Sequence, residues 1–479
     1  MHMNLRCILS IAFLFVLCET GMAKKIKVAC VGNSITYGAR IENREQHSYP
    51  AQLQRLLGED YEVCNFGRSA TTLLKKGDFP YVTTEEFKQS LLFNPDVVLI
   101  KLGTNDTKPK NRLYMEGFKA DYVELVETYR NLPSHPRVIL LTPIRSFIPG
   151  SQDICDSVIQ SSVIPVIEEI AYEKQLDVIH LHRIFGDVWD KFMLPDKLHP
   201  SAYGAGTIAQ MISRYLLCER AKTKDVIARF PMHPERRFNY HGYEGLEYNN
   251  KGVTYRIVKP HRVAKGNPWI WRTRFWDFEP QTDIAMLENG FHLVYCEVGD
   301  LFGSPQAVER FNTFYSLLKK AGLHKKAVLE GMSRGGLIVY NWTAQNPEKV
   351  ACIYADAPVL DIKSWPMGLP GDPNTKKMLS AYGFANENEA REWKGNPLDH
   401  VQVLAKANIP MLHVVGDADT GVPIAQNTTE FEKRLSHYGR RLEVIHKPGV
   451  GHHPHSLVNP EPIVSFILEA TGHLRKTKQ

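Results

Sequence analysis

Short, almost continuous apolar runs recur along this chain, each followed by a stretch with helical spacing. Between 26 and about 218 the runs are IKVACVG, YEVCNFG, DVVLIKLG, RVILLTP and LDVIHLH, and stretches of helical period lie near 48–57, 117–129 and 157–173. Apolar runs without alternation are what parallel strands covered on both faces require. The pattern predicts a doubly wound α/β domain of about five strands, an ordinary size for one domain.

A second alternation starts near 240. VTYRIV, PWIW, FHLVYCEV, KAVLEG, VACIYADAP, PMLHVVGD and LEVIHKPG read as strands, with helical patterns near 306–321, 337–345 and 424–436. Between the two halves, RAKTKDVIARFPMHPERRFN is polar, basic and broken by proline, which places a linker at 220–240. The motifs and spacings of the halves differ, so they do not read as a duplication. The division expected is 1–23, 24–219 and 241–479, with that linker between.

The first 23 residues are expected to lie outside the fold. Arg6 precedes an apolar run from Cys7 to Cys18, and Gly21-Met22-Ala23 offers small residues for cleavage. This is the pattern of a secretory signal peptide, too short for a membrane span. Cys18 raises a lipoprotein alternative, against which stands the bulk of Leu17. A periplasmic or secreted protein is expected, with no membrane span. At 479 residues, 43% hydrophobic and 23% charged, the chain is of ordinary globular composition with two domains favoured. A net charge of +6 without basic blocks disfavours nucleic acid as a partner. Cys30, Cys64, Cys155, Cys218, Cys296 and Cys352 lie beyond the cleavage point and have no zinc-type spacing.

Candidate chemistry in the first half gathers at strand ends: Gly32-Asn33-Ser34, Asn65-Phe66-Gly67, Gly103-Thr104-Asn105-Asp106, and Asp196-Lys197-Leu198-His199-Pro200 before the last helix. In an open α/β sheet such ends converge on one crevice. Singly each is a common turn or cap; together, in this order, they resemble the SGNH or GDSL-type hydrolases over essentially all of 26–218. The resemblance implies a flavodoxin-like sheet with Ser34 as nucleophile, His199 as general base and Asp196 orienting it. Its oxyanion donors would be the Ser34 N–H, the Gly67 N–H and the Asn105 amide. Serine needs a neutral imidazole to take its proton, and the tetrahedral oxyanion needs preorganised donors. The sequence departs from the family in having Asn33 where Asp is usual. Pro200 suits the first position of a helix, with His199 at its entrance. His180 and His182 form a possible metal pair without an evident third ligand.

The second half contains Gly331-Met332-Ser333-Arg334-Gly335 between a strand and a helix, the pattern of a nucleophile elbow. Asp417 and Asp419 follow a later strand, and His452, His453 and His455 follow the last one. Ser, Asp, His is the chain order of the α/β-hydrolase fold, which the chain resembles from 245 to about 474. The resemblance points to Ser333, Asp419 and His452, with His453 as a rival base. The Arg334 N–H and one near Arg272 or Thr273 would serve the oxyanion. Trp269 and Trp271 share a strand face and belong to a core, whereas Trp276 is freer to stack on a sugar or phenol. A cation in the first turn of a helix opposes the macrodipole, which makes Arg334 unusual. Serine followed by arginine at an elbow also resembles glucuronoyl esterases, which implies a uronate-bearing substrate.

The resemblances imply an enzyme with two serine centres and no metal or cofactor, and the N-terminal pattern implies that it is exported. Its substrate would be an acetylated polysaccharide or oligosaccharide, with xylan or pectin favoured. The second centre would remove another ester, such as a feruloyl, methyl or glucuronoyl group. Sialate O-acetyl groups are an alternative substrate, and a non-catalytic or peptidase-like second half is an alternative architecture.

Overall fold

The computed structural model describes residues 24–150, 153–186, 188–221 and 225–474; the expected signal peptide lies outside them. Two sheets are formed. The first has β1 (Ile26–Gly32), β2 (Tyr61–Gly67), β3 (Val97–Lys101), β4 (Arg137–Leu141) and β5 (Asp177–Ile179). All pairs are parallel, in the order β2-β1-β3-β4-β5. The apolar runs produce this because each face has its own cover. Val98 and Ile100 pack with Phe118, Tyr122 and Val126. Val97 and Leu99 pack on the other side with Tyr49, Leu53 and Ile208.

The second sheet has nine strands: β6 (Arg236–Tyr240), β7 (Tyr243–Asn250), β8 (Val253–Lys259), β9 (Trp269–Arg272), β10 (His292–Cys296), β11 (Ala327–Met332), β12 (Val350–Asp356), β13 (Met411–Gly416) and β14 (Glu443–Lys447). The order is β14-β13-β12-β11-β9-β10-β8-β7-β6, with an antiparallel start and a parallel remainder. Trp269 and Trp271 do share one face, and the Trp271 ring stacks on Phe311 at 3.9 Å. Between β12 and β13 the chain inserts the helices Pro373–Tyr382, Glu387–Glu392 and Val401–Ala407. Met378 and Ala390 from the first two pack with Phe302, Leu337 and Met367 in a separate small core.

Parts of the stretch read as a linker belong to the fold of the second half. Val226, Ile227 and Phe230 are buried with Tyr248 and Phe314, and β6 is the edge strand. Nor are the halves independent: one apolar cluster holds Tyr129, Ile170 and Val178 together with Tyr240, Tyr243, Ile284 and Leu287. The β6–β7 turn is pressed against the first half so closely that a Cβ on Gly242, at φ +91°, would lie 2.9 Å from Val178. Buried charges cross the same junction. Glu288 accepts from the His180 N–H at 2.7 Å and from Arg183 at 2.8 Å. Glu168 sits between His180 (3.2 Å) and His241 (3.3 Å), and His241 pairs in turn with Asp277 at 2.8 Å. His182 pairs with Asp156 at 3.0 Å. The two histidines of the possible metal pair are thus engaged separately, one at the junction and one within the first half.

Candidate active sites

In the first half, Ser34 opens a short helix directly after β1, capped by the Asn33 side chain, which accepts from the Ile35 N–H at 3.1 Å. Asn33 thus braces the turn in place of the usual carboxylate, and its amide nitrogen has no partner among the described residues. His199 Nε2 lies 3.0 Å from Ser34 Oγ, and its Nδ1 lies 2.7 Å from Asp196 Oδ2. The other carboxylate oxygen accepts from the N–H groups of Leu198 (3.1 Å) and His199 (3.0 Å), and Arg40 adds an ion pair at 2.9 Å. Burial works against the Asp196 charge, but the His199 N–H and ring and the Leu198 N–H outweigh it and hold the carboxyl below its usual range. The helix behind His199 begins at Ala202 and is capped by Ser201, which accepts from Gly204. Pro200 therefore precedes the helix rather than opening it.

The expected oxyanion donors differ in availability. Asn105 gives one amide hydrogen to Thr71 O at 2.9 Å and retains a second. Asn111 anchors it by donating to the Asn105 carbonyl at 2.8 Å. The Gly67 N–H donates to the exposed Asn65 side chain at 2.9 Å, so it serves an oxyanion only when Asn65 turns away. Only glycine fits at 67, since a Cβ would stand 2.2 Å from Tyr37 N. Neighbouring Asp106, whose carboxyl burial pushes up to about 6, receives the N–H groups of Leu73 and Leu74 and fixes the loop beside the site.

The second half repeats the relay with other parts. Ser333 holds φ +51° between β11 and the helix Gly335–Gln345, a strained backbone that neighbouring glycines permit: a Cβ on Gly336 would meet Pro358 at 2.7 Å. Ser333 Oγ lies 2.9 Å from His452 Nε2, and His452 Nδ1 lies 2.7 Å from Asp419 Oδ2. Asp419 Oδ1 accepts from the Gly421 and Val422 N–H groups at 2.9 and 2.8 Å. Burial opposes its charge, but His452 and these donors keep the carboxyl below its usual range. Asp417 pairs instead with His446 at 2.7 Å. The rival His453 is exposed, and His455 is buried against Asp356 at 2.7 Å.

Around the elbow the structure revises three expectations. The Thr273 N–H donates to Glu330 O at 3.0 Å within the sheet, so it is not available to an oxyanion. Arg272 is fully buried, its guanidinium held by Asp283 and Glu330. The next residue, Arg274, reaches the elbow: its N lies 4.0 Å from where a Cβ of Gly335 would stand. Trp276, expected to be free for a ligand, is packed among Phe238, Tyr240 and Tyr295. The aromatic wall beside the nucleophile is instead Phe275, Phe302 and Trp365, whose ring centroids lie 5.7, 5.3 and 6.0 Å from the Arg334 guanidinium. Burial and Arg274 both lower the Arg334 pKa, and its carboxylate partner Asp300 is loose at 3.7 Å. These residues escape sequence reading because they come from separate loops and become neighbours only in the fold.

Family models match the chain in two places. Residues 30–206 match the GDSL-like lipase/acylhydrolase family and residues 316–472 the prolyl oligopeptidase family. An acetylxylan esterase from Xylanibacter ruminicola is 42% identical over 205 residues, which cover 39% of this chain and 42% of that protein. The chain therefore spans less than half the length of this curated relative. Among solved structures, Est1E from Butyrivibrio proteoclasticus is 17% identical, with 48% of this chain and 99% of that one covered at a TM-score of 0.36. Est24, a carbohydrate acetylesterase from Sinorhizobium meliloti, is 18% identical, with 40% and 98% covered at a TM-score of 0.33. The chain carries an N-terminal GDSL-like acylhydrolase domain followed by a C-terminal α/β-hydrolase domain.

Proposed function

We propose that this protein is an exported carbohydrate esterase with two serine centres. Ser34, His199 and Asp196 would remove O-acetyl groups from a polysaccharide such as xylan; Ser333, His452 and Asp419 would remove a second ester from the same polymer. The observation that carries the reading is the presence of two complete relays, each with hydroxyl to imidazole and imidazole to carboxylate within hydrogen-bonding distance. In each, the imidazole takes the serine proton as the hydroxyl attacks the ester carbonyl, then returns it to the leaving alcohol. The acetylxylan esterase similarity of the first half supports acetyl as its acyl group. At the second centre, paired arginines over an aromatic wall favour an ester next to a carboxylate or an aromatic ring, as in glucuronoyl or feruloyl esters. Export rests on the 1–23 pattern, and no described helix is long and apolar enough to cross a membrane.

Ser34→Ala is expected to lower acetate release from acetylated xylan at least about 10³-fold while leaving the second ester's hydrolysis intact, and Ser333→Ala the reverse. Acetate release that survives Ser34→Ala and is lost in Ser333→Ala would refute the assignment of centres. The prolyl oligopeptidase match supports a second reading of the C-terminal half as a peptidase. Cleavage of peptide anilides that is lost in Ser333→Ala would establish it.

A further inference from the structure

His452, His453 and His455 each offer one ring nitrogen, and the three nitrogens lie within 4.8 Å of one another. The rings stand edge to face at centroid distances of 5.0, 4.9 and 4.7 Å. One histidine serves Ser333; the relay has no use for the other two. Their surroundings are those of metal ligands. An imidazole that binds a metal nearly always gives its other ring nitrogen to a carboxylate, which fixes the tautomer and makes the free nitrogen more basic. His452 does this through Nδ1 to Asp419 at 2.7 Å, and His455 does it through Nδ1 to Asp356, also at 2.7 Å. In both rings Nε2 is then the lone-pair atom. Asp356 is itself pinned by the Ser456 N–H at 2.8 Å and the Tyr354 hydroxyl at 3.0 Å, and Glu279 accepts the His455 N–H at 2.6 Å. The buried ring of His455 and the half-buried ring of His452 are therefore each held by a carboxylate, with three carboxylates behind the pair to balance a dication.

His453 supplies the third nitrogen from the exposed side, where an ion enters from solvent. Metal–nitrogen bonds of about 2.0–2.1 Å place tetrahedral ligand atoms about 3.4 Å apart. The necessary adjustment falls on this exposed ring. Three neutral imidazoles with one position left open suit zinc and its borderline-soft neighbours, and suit magnesium or calcium poorly.

We infer that His452, His453 and His455 form a binding site for a zinc-class divalent ion that reversibly closes the second centre. The nitrogen that such an ion would take on His452 is the one now 2.9 Å from Ser333 Oγ. Coordination occupies the lone pair that must accept the serine proton, so the nucleophile loses its base while the fold is unchanged. No comparable cluster exists at Ser34 among the described residues, so the first centre stays open. An ion in the surroundings would thereby favour deacetylation over the second reaction.

The test uses the full chain carrying Ser34→Ala. Cobalt(II) serves as a spectroscopic probe for zinc, and phosphonylation of Ser333 by a fluorophosphonate reports on its base without requiring a known substrate. The expected result is the uptake of one cobalt equivalent with the visible absorption of a four-coordinate site, bleached by zinc chloride. Zinc should also slow phosphonylation at least tenfold, with recovery on adding EDTA. With each rate normalised to its own zinc-free value, His453→Ala should raise the zinc concentration for half-effect at least tenfold over that of the parent. Cobalt binding unchanged by His453→Ala, or phosphonylation at an undiminished rate with cobalt bound, would overturn the inference. A Ser333 that never reacts, in a protein whose cobalt spectrum is lost in His453→Ala, would leave the metal site standing and remove the esterase reading of the second half.

Discussion

Two relays of the same three residue types are assembled in this chain by different means. At Ser34 the acid and base lie three positions apart on one turn, and the acid is partly exposed, with 19% of its side chain accessible, and clasped by Arg40. At Ser333 they lie 33 positions apart on separate loops, and only 1% of the acid side chain is accessible. The contrast concerns how much the orienting charge weighs. In the first centre solvent and a neighbouring arginine already moderate the carboxylate. In the second the carboxylate itself is withdrawn from water, while its imidazole partner keeps 21% of its side chain accessible, so the imidazolium formed in the transition state is expected to depend on the buried acid more strongly.

The sharpest way to break this contrast is to neutralise each acid. Asp419→Asn is expected to lower kcat at the second centre by about 10³- to 10⁴-fold, and Asp196→Asn at the first by about 10²-fold. Each loss would be measured with the other serine replaced by alanine; equal losses would show that burial of the acid does not matter.

The halves differ next in what their cores hold. Lys101, at the end of β3, is fully buried, its amine has no partner among the described residues, and burial pulls its pKa down to about 7. Between there and the ordinary 10.5 the unfolded chain holds a proton that the folded chain has lost, so stability rises with pH across that window. Lys101→Met should stabilise the protein at pH 7 by a few kcal/mol (order of magnitude) and flatten the rise, as read from denaturant midpoints at pH 7 and 10. A steep rise that persists in the variant would assign it to another group.

The smallest expected effect concerns the junction. Burial disfavours the charged form of His241, yet Asp277 and Glu168 outweigh it and raise its pKa to about 10. A histidine raised in the folded state contributes fully below about 6.5, and that contribution is lost as pH rises through about 10. His241→Gln should therefore cost about 1 kcal/mol at pH 6 and nothing measurable at pH 10.5. An equal cost at both values would mean that the side chain acts by packing alone.

The contrast between halves also governs what a sequence discloses. The five strands of the first sheet are legible because both faces of each are covered, which leaves uninterrupted apolar runs. Asp196 and His199 are legible because a local turn keeps them three residues apart. β6, by contrast, is an edge strand reading RRFNY, whose charged side chains face solvent and whose pairing with β7 leaves no apolar signature. That the Thr273 N–H is spent on the Glu330 carbonyl, and is so withdrawn from the elbow, is a register fact that no local pattern carries. Lys101 reads as the polar end of an apolar run, and nothing local in that run announces its full burial. The pairing of Arg272 with Asp283 and Glu330 is likewise the product of three elements meeting.

The apolar cluster that runs from Tyr129 and Val178 into Tyr243 and Leu287 has a consequence for how the molecule comes apart. Neither half can open without exposing surface that belongs to the other, so the free energies of the two sheets are coupled. Calorimetry should show a single cooperative melt, and both catalytic activities should vanish over the same few degrees.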